Sequence, residues 1–165
     1  MDMKQPFERI VADNAVAVLR VCRAVVGVHD GDDAWSETFI SAMRAYPDLA
    51  EDANVEAWLV TIAHRKAIDI LRRQQRREIA IGVEMVNTSE LGISVATKHE
   101  LWDLVRTLPG RQRQAVAYHY LGGLPYDEVA AILGGSVDAA RRAAADGMKN
   151  LRSMFDAIDP KGEAQ

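Results

Sequence analysis

Six cationic side chains, Arg65, Lys66, Arg72, Arg73, Arg76 and Arg77, crowd into the run from 65 to 77, where Asp69 is the sole carboxylate. Such a cluster does electrostatic work: it can grip a polyanionic phosphate backbone. The alternative is a solvated, cation-rich helix end with no ligand. A second pair, Arg141 and Arg142, stands among small alanines, where guanidinium groups can reach guanine edges or phosphates. Catalysis finds no comparable support. His29, His64, His99 and His119 lie apart, without HExxH or other metal-ligand spacing. The chain has no GxSxG, no phosphate-cradling glycine loop and no Cys/His constellation. Cys22 is the single cysteine, which removes an internal disulfide or a multi-cysteine zinc site, and its apolar surroundings predict a buried thiol. The expectation is a protein that is not an enzyme and uses no metal or cofactor.

The charge distribution sharpens this. The net charge over 165 residues is −4, yet the run from 65 to 77 carries six Lys/Arg against one Asp, or +5, which leaves −9 for the remainder. Segregation of this kind suits contact with nucleic acid at defined patches, or dependence on a larger partner for affinity. No apolar run reaches membrane-spanning length and the N-terminus lacks a signal-peptide core, so a soluble, cytoplasmic protein is expected.

The basic run must be positioned by a long amphipathic helix from Asn54 to Arg77, with Val55, Trp58, Leu59, Ile62, Ala63, Ile68 and Leu71 inward. Asn54 is its expected N-cap, and Glu56 sits where the helix dipole favours negative charge. Two helices precede it. Phe7 to Val28, with Phe7, Ile10, Val11, Val16, Leu19, Cys22, Val25 and Val26 apolar, ends near Gly27. After a loop and cap over residues 29–33, Ala34 to Tyr46 turns Trp35, Phe39, Ala42 and Met43 inward and Glu37, Ser41 and Arg44 outward. Pro47 stops it and an acidic loop leads on. From Ile79 to Val95 periodicity fades and Gly82, Asn87, Ser89 and Gly92 accumulate, the composition of a linker, whose apolar members suggest it lies against a surface.

Four helices are expected beyond the linker. Ala96 to Leu108 stops before Pro109, and Pro109 to Tyr120 carries proline at its first position, where no backbone N–H is needed. A short helix starts at Pro125 with Tyr126, Val129, Ala130 and Leu133 on one face. Gly134-Gly135 turns the chain, Ser136 caps, and an alanine-rich helix runs to about Phe155, ahead of a frayed tail from 157 to 165. Short helix, tight turn and capped longer helix make a helix-turn-helix. Val137, Ala140, Ala144, Met148 and Leu151 would pack inward, leaving Asp138, Ala139, Arg141, Arg142, Ala145, Lys149 and Arg152 outside. The same geometry occurs in helical proteins that never meet DNA. Gly147 weakens this helix by about 1 kcal/mol relative to alanine, and close packing of another helix would account for it.

Read as blocks, the chain resembles the extracytoplasmic-function (ECF, group IV) sigma factors of bacterial RNA polymerase, within the sigma-70 family. Asp33-Ala34-Trp35-Ser36-Glu37-Thr38-Phe39-Ile40-Ser41-Ala42-Met43-Arg44 is similar to D-x-x-Q-E-T-F-L-R-A-W-R. Trp58-Leu59-Val60-Thr61-Ile62-Ala63 matches W-L-x-x-I-A, and Asp69-Ile70-Leu71-Arg72-Arg73 matches D-x-L-R-R. Leu108-Pro109, Gly123 to Ala130 and Leu133 to Ser136 resemble L-P…G-L-S-Y-x-E-I-A…L-G-x-S. The resemblance covers Phe7 to about Arg152 and implies an all-α fold of two small helical domains. These are a region 2-like domain over 1–79, a linker over 80–95, and a winged-helix-like, region 4-type helix-turn-helix domain over 96–156.

The resemblance also assigns roles. Asp33, Ser36, Glu37, Thr38, Phe39, Ala42 and Arg44 would bind core polymerase at the β′ coiled coil, with the β subunit also engaged. Asn54, Trp58, His64, Arg65, Lys66, Asp69, Arg72, Arg73 and Arg76 would serve the −10 element, read as an unstacked single strand at a pocket from Leu49 to Asn54. Ser136, Asp138, Ala139, Arg141, Arg142 and Lys149 would serve the −35 element in the major groove. The linker, with Glu84 and Glu90, would thread polymerase channels, and an anti-sigma factor is a further implied partner. Departures exist: Ala63-His64-Arg65 replaces A-R-N, Trp35 takes an aliphatic position, and Ala143 and Asp146 stand where relatives commonly carry arginine. Two other readings compete, a homodimeric helix-turn-helix regulator of duplex operators and a sigma-like interaction module without initiation activity. The first lacks a heptad seam for its dimer.

Overall fold

A single glycine turn joins the first two helices in the computed structural model, which describes residues 3–82 and 98–158. Helix α1 spans Phe7–Val26 and α2 spans Val28–Ala45, with Gly27 alone between them at φ +94°. The expected loop over 29–33 is therefore helical. Its glycine explains why: Gly31 lies so close to α1 that a Cβ there would stand 2.8 Å from the Arg23 Cα. No side chain caps α2, whose N-cap is Gly27, so the cap expected over 29–33 does not form; Asp32, inside the helix, instead accepts a bond of 2.8 Å from Arg23. A 3-10 turn, Tyr46–Asp48, follows α2 and carries Pro47 in its first positions, where the missing N–H costs nothing.

Helix α3, Val55–Ile81, starts as expected: Asn54 Oδ1 accepts from the Ala57 N–H at 3.0 Å. It runs past Arg77 and closes on Gly82 in the left-handed region. The first residues assigned to the linker, Ile79 to Ile81, are thus helical, and the remainder from 83 to 97, including Glu84 and Glu90, lies outside the described residues. The inward stripe of α3 is also displaced. Leu59 and Ala63 are buried as expected, but Ala57, Val60, Ala67 and Ile70 complete the row, while Val55, Trp58, Ile62, Ile68 and Leu71 are half-buried at its margins.

Four helices make the second half: α4 (Lys98–Thr107), α5 (Gly110–Val116), α6 (Tyr126–Leu133) and α7 (Val137–Ile158). Pro109 caps α5 from outside the helix, at ψ 144°, rather than filling its first turn. The backbone of α5 widens into a π turn over Ala117–Leu121. Gly134 and Gly135, both at positive φ, turn the chain between α6 and α7, and Ser136 Oγ accepts from the Ala139 N–H at 3.1 Å. That is the helix-turn-helix, and the described residues contain no strand. Gly147 behaves as expected: a Cβ would stand 2.6 Å from Val116 Cγ2, so α7 and α5 touch there nearly backbone to side chain.

Three apolar residues face outward against expectation, and the covering of α1 accounts for the first. Val16, Met43 and Val137 are 60%, 55% and 39% exposed, while Val18, Val21 and Ala24 are buried. Helix α1 is covered on two sides, by α2 and α3 and by the second half, so its buried face is wider than a single stripe and is rotated from the expected one. Cys22 is buried there as expected.

Candidate nucleic-acid interface

The long reach of α3 sets the first surface. Its last two turns, from Gln75 on, leave the core, and along the helix Arg65, Arg72, Arg73, Arg76 and Arg77 are exposed with Lys66 half-buried. Among the described residues none of these six lies within ion-pair distance of a carboxylate. A row of cations with no carboxylate partner among the described residues keeps its charge available to an external polyanion. Asp69 is exposed in the same row.

At the other end of α3 is a loop, residues 49–54, framed by aromatic side chains. Trp58 is half-buried, and its ring lies 6.3 Å from Tyr46, which in turn lies 5.4 Å from Phe7. Asn54, exposed, is used as the helix cap. His64 sits between loop and basic row but faces the second half: its Nδ1 is 2.5 Å from the Tyr118 hydroxyl. Burial, and then the neighbouring Arg65 charge, lower its pKa.

The helix-turn-helix carries the second surface. Asp138, Arg141, Arg142 and Lys149 are exposed, Ala139 is half-buried, and Ser136 is spent on the cap. Arg141 is held at the start of α7 from two sides, by Asp138 at 2.9 Å and by the Tyr126 ring at 5.4 Å. Behind Tyr126, His119 stacks at 3.9 Å and donates from Nδ1 to the Leu124 carbonyl at 2.7 Å. The residue pattern missed this stack, although Tyr126 lay inside a quoted block, because cation–π contact joins residues fifteen apart on different helices.

A third group maps to α2. Asp33, Ser36, Glu37 and Arg44 are exposed, and Ile40 and Met43 stand beside them, large, apolar and open. Thr38, Phe39 and Ala42, from the same block, point into the core, where Thr38 Oγ1 donates to the Ala34 carbonyl at 2.6 Å. They shape α2 from within.

Neither surface stands alone, because the two halves pack together. Arg113 donates to the Val25 carbonyl at 2.9 Å, closing the end of α1, and to the Leu108 carbonyl of its own half. Tyr118 is fully buried against α1 and α3. Gly27 leaves room for the Arg106 side chain and Gly122 for Val21. Tyr118, Arg113 and Arg106 carried no signal in the linear pattern, since their partners lie dozens of residues away.

No group of three or more His, Cys, Asp or Glu able to hold a metal occurs among the described residues, and none of the described helices is long and apolar enough to cross a membrane. Comparison with known proteins supplies the context for these surfaces. Residues 10–77 match the family described as Sigma-70 region 2, and residues 98–151 match Sigma-70, region 4. The ECF RNA polymerase sigma factor SigK of Mycobacterium tuberculosis is 31% identical over 108 residues, a match covering 61% of this chain and 58% of that protein. RNA polymerase sigma factor CnrH of Cupriavidus metallidurans is 28% identical over 174 residues, covering 96% of this chain and 91% of CnrH. In three dimensions the chain is similar to CnrH bound to the cytosolic domain of CnrY, with TM-score 0.67 and 26% identity over 92% of this chain and 88% of that one. It shares the fold of the sigma factor RpoE of Bartonella quintana, solved with the anti-sigma factor NepR, at TM-score 0.77 and 17% identity over 91% and 96% of the two chains.

Proposed function

We propose that this chain, which belongs to the sigma-70 family in its extracytoplasmic-function group, binds core RNA polymerase and directs initiation at promoters with −10 and −35 elements. The observation that carries this reading is the pairing of two cationic surfaces of different kinds on one chain. One is an open track on a projecting helix beside an aromatic-framed loop, which suits a single strand with unstacked bases. The other is the first turns of a capped helix-turn-helix helix, which suits a major groove. A regulator that binds only duplex operators has no use for the first.

In this reading α2 docks on the polymerase through Asp33, Glu37, Arg44 and the apolar Ile40 and Met43 beside them. The loop from 49 to 54 receives a −10 base, Arg65, Lys66, Arg72 and Arg73 hold backbone, and Arg141 and Arg142 meet the −35 element. The chain divides into a polymerase and −10 domain over 1–79, a linker over 80–95, a −35 domain over 96–156 and a tail. It catalyses nothing itself and works in the cytoplasm, where polymerase is. CnrH and RpoE have each been solved with a bound protein, and an anti-sigma factor is the matching partner class for this chain.

The direct test mixes the purified protein with sigma-free bacterial core polymerase and measures co-elution and run-off transcription, first on the promoter of its own gene and then on a promoter library. Co-elution with a discrete transcript supports initiation. Co-elution without transcript across the library favours an interaction module, and no association with core removes the sigma reading.

A further inference from the structure

The loop proposed to receive the −10 base has a support that comes from far away in the chain. Lys4, ahead of α1, reaches across to the end of α2 and donates to three carbonyls, those of Tyr46 at 2.5 Å, Pro47 at 3.2 Å and Leu49 at 2.7 Å. An ammonium has three protons to donate, and all three are used on one short piece of backbone. The same nitrogen stands 4.6 Å from the centre of the Tyr46 ring, a cation–π contact. The Tyr46 hydroxyl closes the circuit by donating to the Gln5 carbonyl, next to Lys4 itself. Phe7 packs on the other side of Tyr46, and Trp58 of α3 completes the aromatic line.

The physical need for such a device is plain. The chain leaves α2 through a 3-10 turn in which the Tyr46 carbonyl accepts only the Leu49 N–H, at 3.1 Å, and its last carbonyls lie at the negative end of the helix dipole. Without a cation these groups would turn to water, and the loop after them would be free to move. With Lys4 in place, the backbone from Tyr46 to Leu49 is tied at three points to the segment that begins α1. Loop residues 49–54 are thereby held at both ends, by Lys4 at Leu49 and by the Asn54 cap on α3.

We infer that Lys4 is a positioning residue for base recognition: its ammonium holds the backbone that presents the loop from 49 to 54 to the unstacked −10 base, without touching DNA. This rests on the reading of the loop given under Proposed function. A pocket that discriminates bases by hydrogen bonds must be held to a fraction of an ångström, so a loosened frame loses discrimination before it loses attachment.

The test uses holoenzyme reconstituted from core and full-length protein, with single-stranded −10 probes that differ at one base, over a range of salt concentrations. In Lys4→Met the stem is kept and the ammonium is removed. The expected result is a drop of about tenfold in the ratio between preferred and disfavoured bases, with the salt slope unchanged because no phosphate contact is lost. Tyr46→Phe, which frees the Gln5 link but keeps the ring, is expected to move the ratio in the same direction by less. A slope shallower by about one unit with the ratio intact would make Lys4 a phosphate contact and overturn the inference. So would a ratio and slope equal to wild type in both variants, including the case where only thermal stability falls. Failure of the underlying reading looks different: the wild-type holoenzyme then shows no base preference or does not assemble at all.

Discussion

Arginines of the two surfaces differ in what holds them, and their substitutions should differ accordingly. Arg141 is fixed by Asp138 and the Tyr126 ring, at the helix start proposed to meet base edges. Arg76 projects from α3 with no carboxylate partner among the described residues. Arg141→Ala or Arg142→Ala is expected to change preference among −35 sequences, whereas Arg76→Ala lowers affinity for all promoters and flattens the salt slope by about one unit. Binding titrations of the holoenzyme on a panel of promoter variants read both, and equal losses for all three substitutions would refute the division. Buried groups add a pH dependence. Burial pushes the Cys22 thiol from 9.0 up to about 12, against a hydrogen bond with Thr38 that lowers it. The folded form then holds this proton more tightly than the unfolded chain does. Stability is whole below about pH 9 and erodes as pH climbs from there toward about 12. Burial raises the Tyr118 phenol as well, in the same direction. Urea unfolding across this window should show falling stability, with a shallower fall in Cys22→Ala.

At the scale of elements, caps and one glycine set how α3 and α7 sit. Asn54 and Ser136 each satisfy an N–H of the first helical turn, at 3.0 and 3.1 Å. Replacing either by alanine should cost about 1 kcal/mol in chemical denaturation. Gly147 is a sharper case, because two effects oppose each other. Alanine would favour the helix by about 1 kcal/mol, yet its Cβ would stand 2.6 Å from Val116 Cγ2 and 3.3 Å from the Gln112 carbonyl oxygen. Overpacking of that kind costs about 1–3 kcal/mol, so Gly147→Ala is expected to be destabilising on balance. A more stable variant would mean that α5 yields, and the account of this glycine would fall. The same contact locates α7 relative to α5.

The whole molecule raises a question of reach. By their labels the two promoter elements lie some 25 base pairs apart, roughly 85 Å of duplex at about 3.4 Å per pair. A packed chain of this length has a radius of gyration of roughly 15 Å. With Tyr118 buried against α1 and α3, and Arg113 on the Val25 carbonyl, the two halves cannot reach both elements at once. In the proposed role, engagement of a promoter would therefore require them to part. His64→Ala removes the contact to Tyr118 and is expected to lengthen the distance between spin labels on α2 and α7 in the free protein. Acid should act in the same sense. The His64 pKa is lowered by burial and then by Arg65, so its contribution is present above its ordinary value of 6.5 and lost as pH falls through its folded value. Distances unchanged by substitution and by acid would show that the contacts of Arg113 and Tyr118 with α1 suffice alone.

What could be settled from the chain alone was what short-range physics writes into it. Helix periodicity, the Asn54 and Ser136 caps, the Gly134-Gly135 turn and the unbalanced cations of α3 all depend on neighbours within a turn or two, and so did the family blocks that ride on them. Gly147 was legible as a close approach because a mid-helix glycine has few other uses. The tertiary structure decided the rest. It converted residues 29–33 into helix by pressing Gly31 against Arg23, and it rotated the buried face of α1 because two halves cover that helix. It turned His64 toward Tyr118 and brought Lys4 onto the carbonyls of Tyr46 and Leu49, more than forty residues away. Contacts of that span leave no period in a sequence, since each is made by a single side chain whose partner is chosen only when the helices pack.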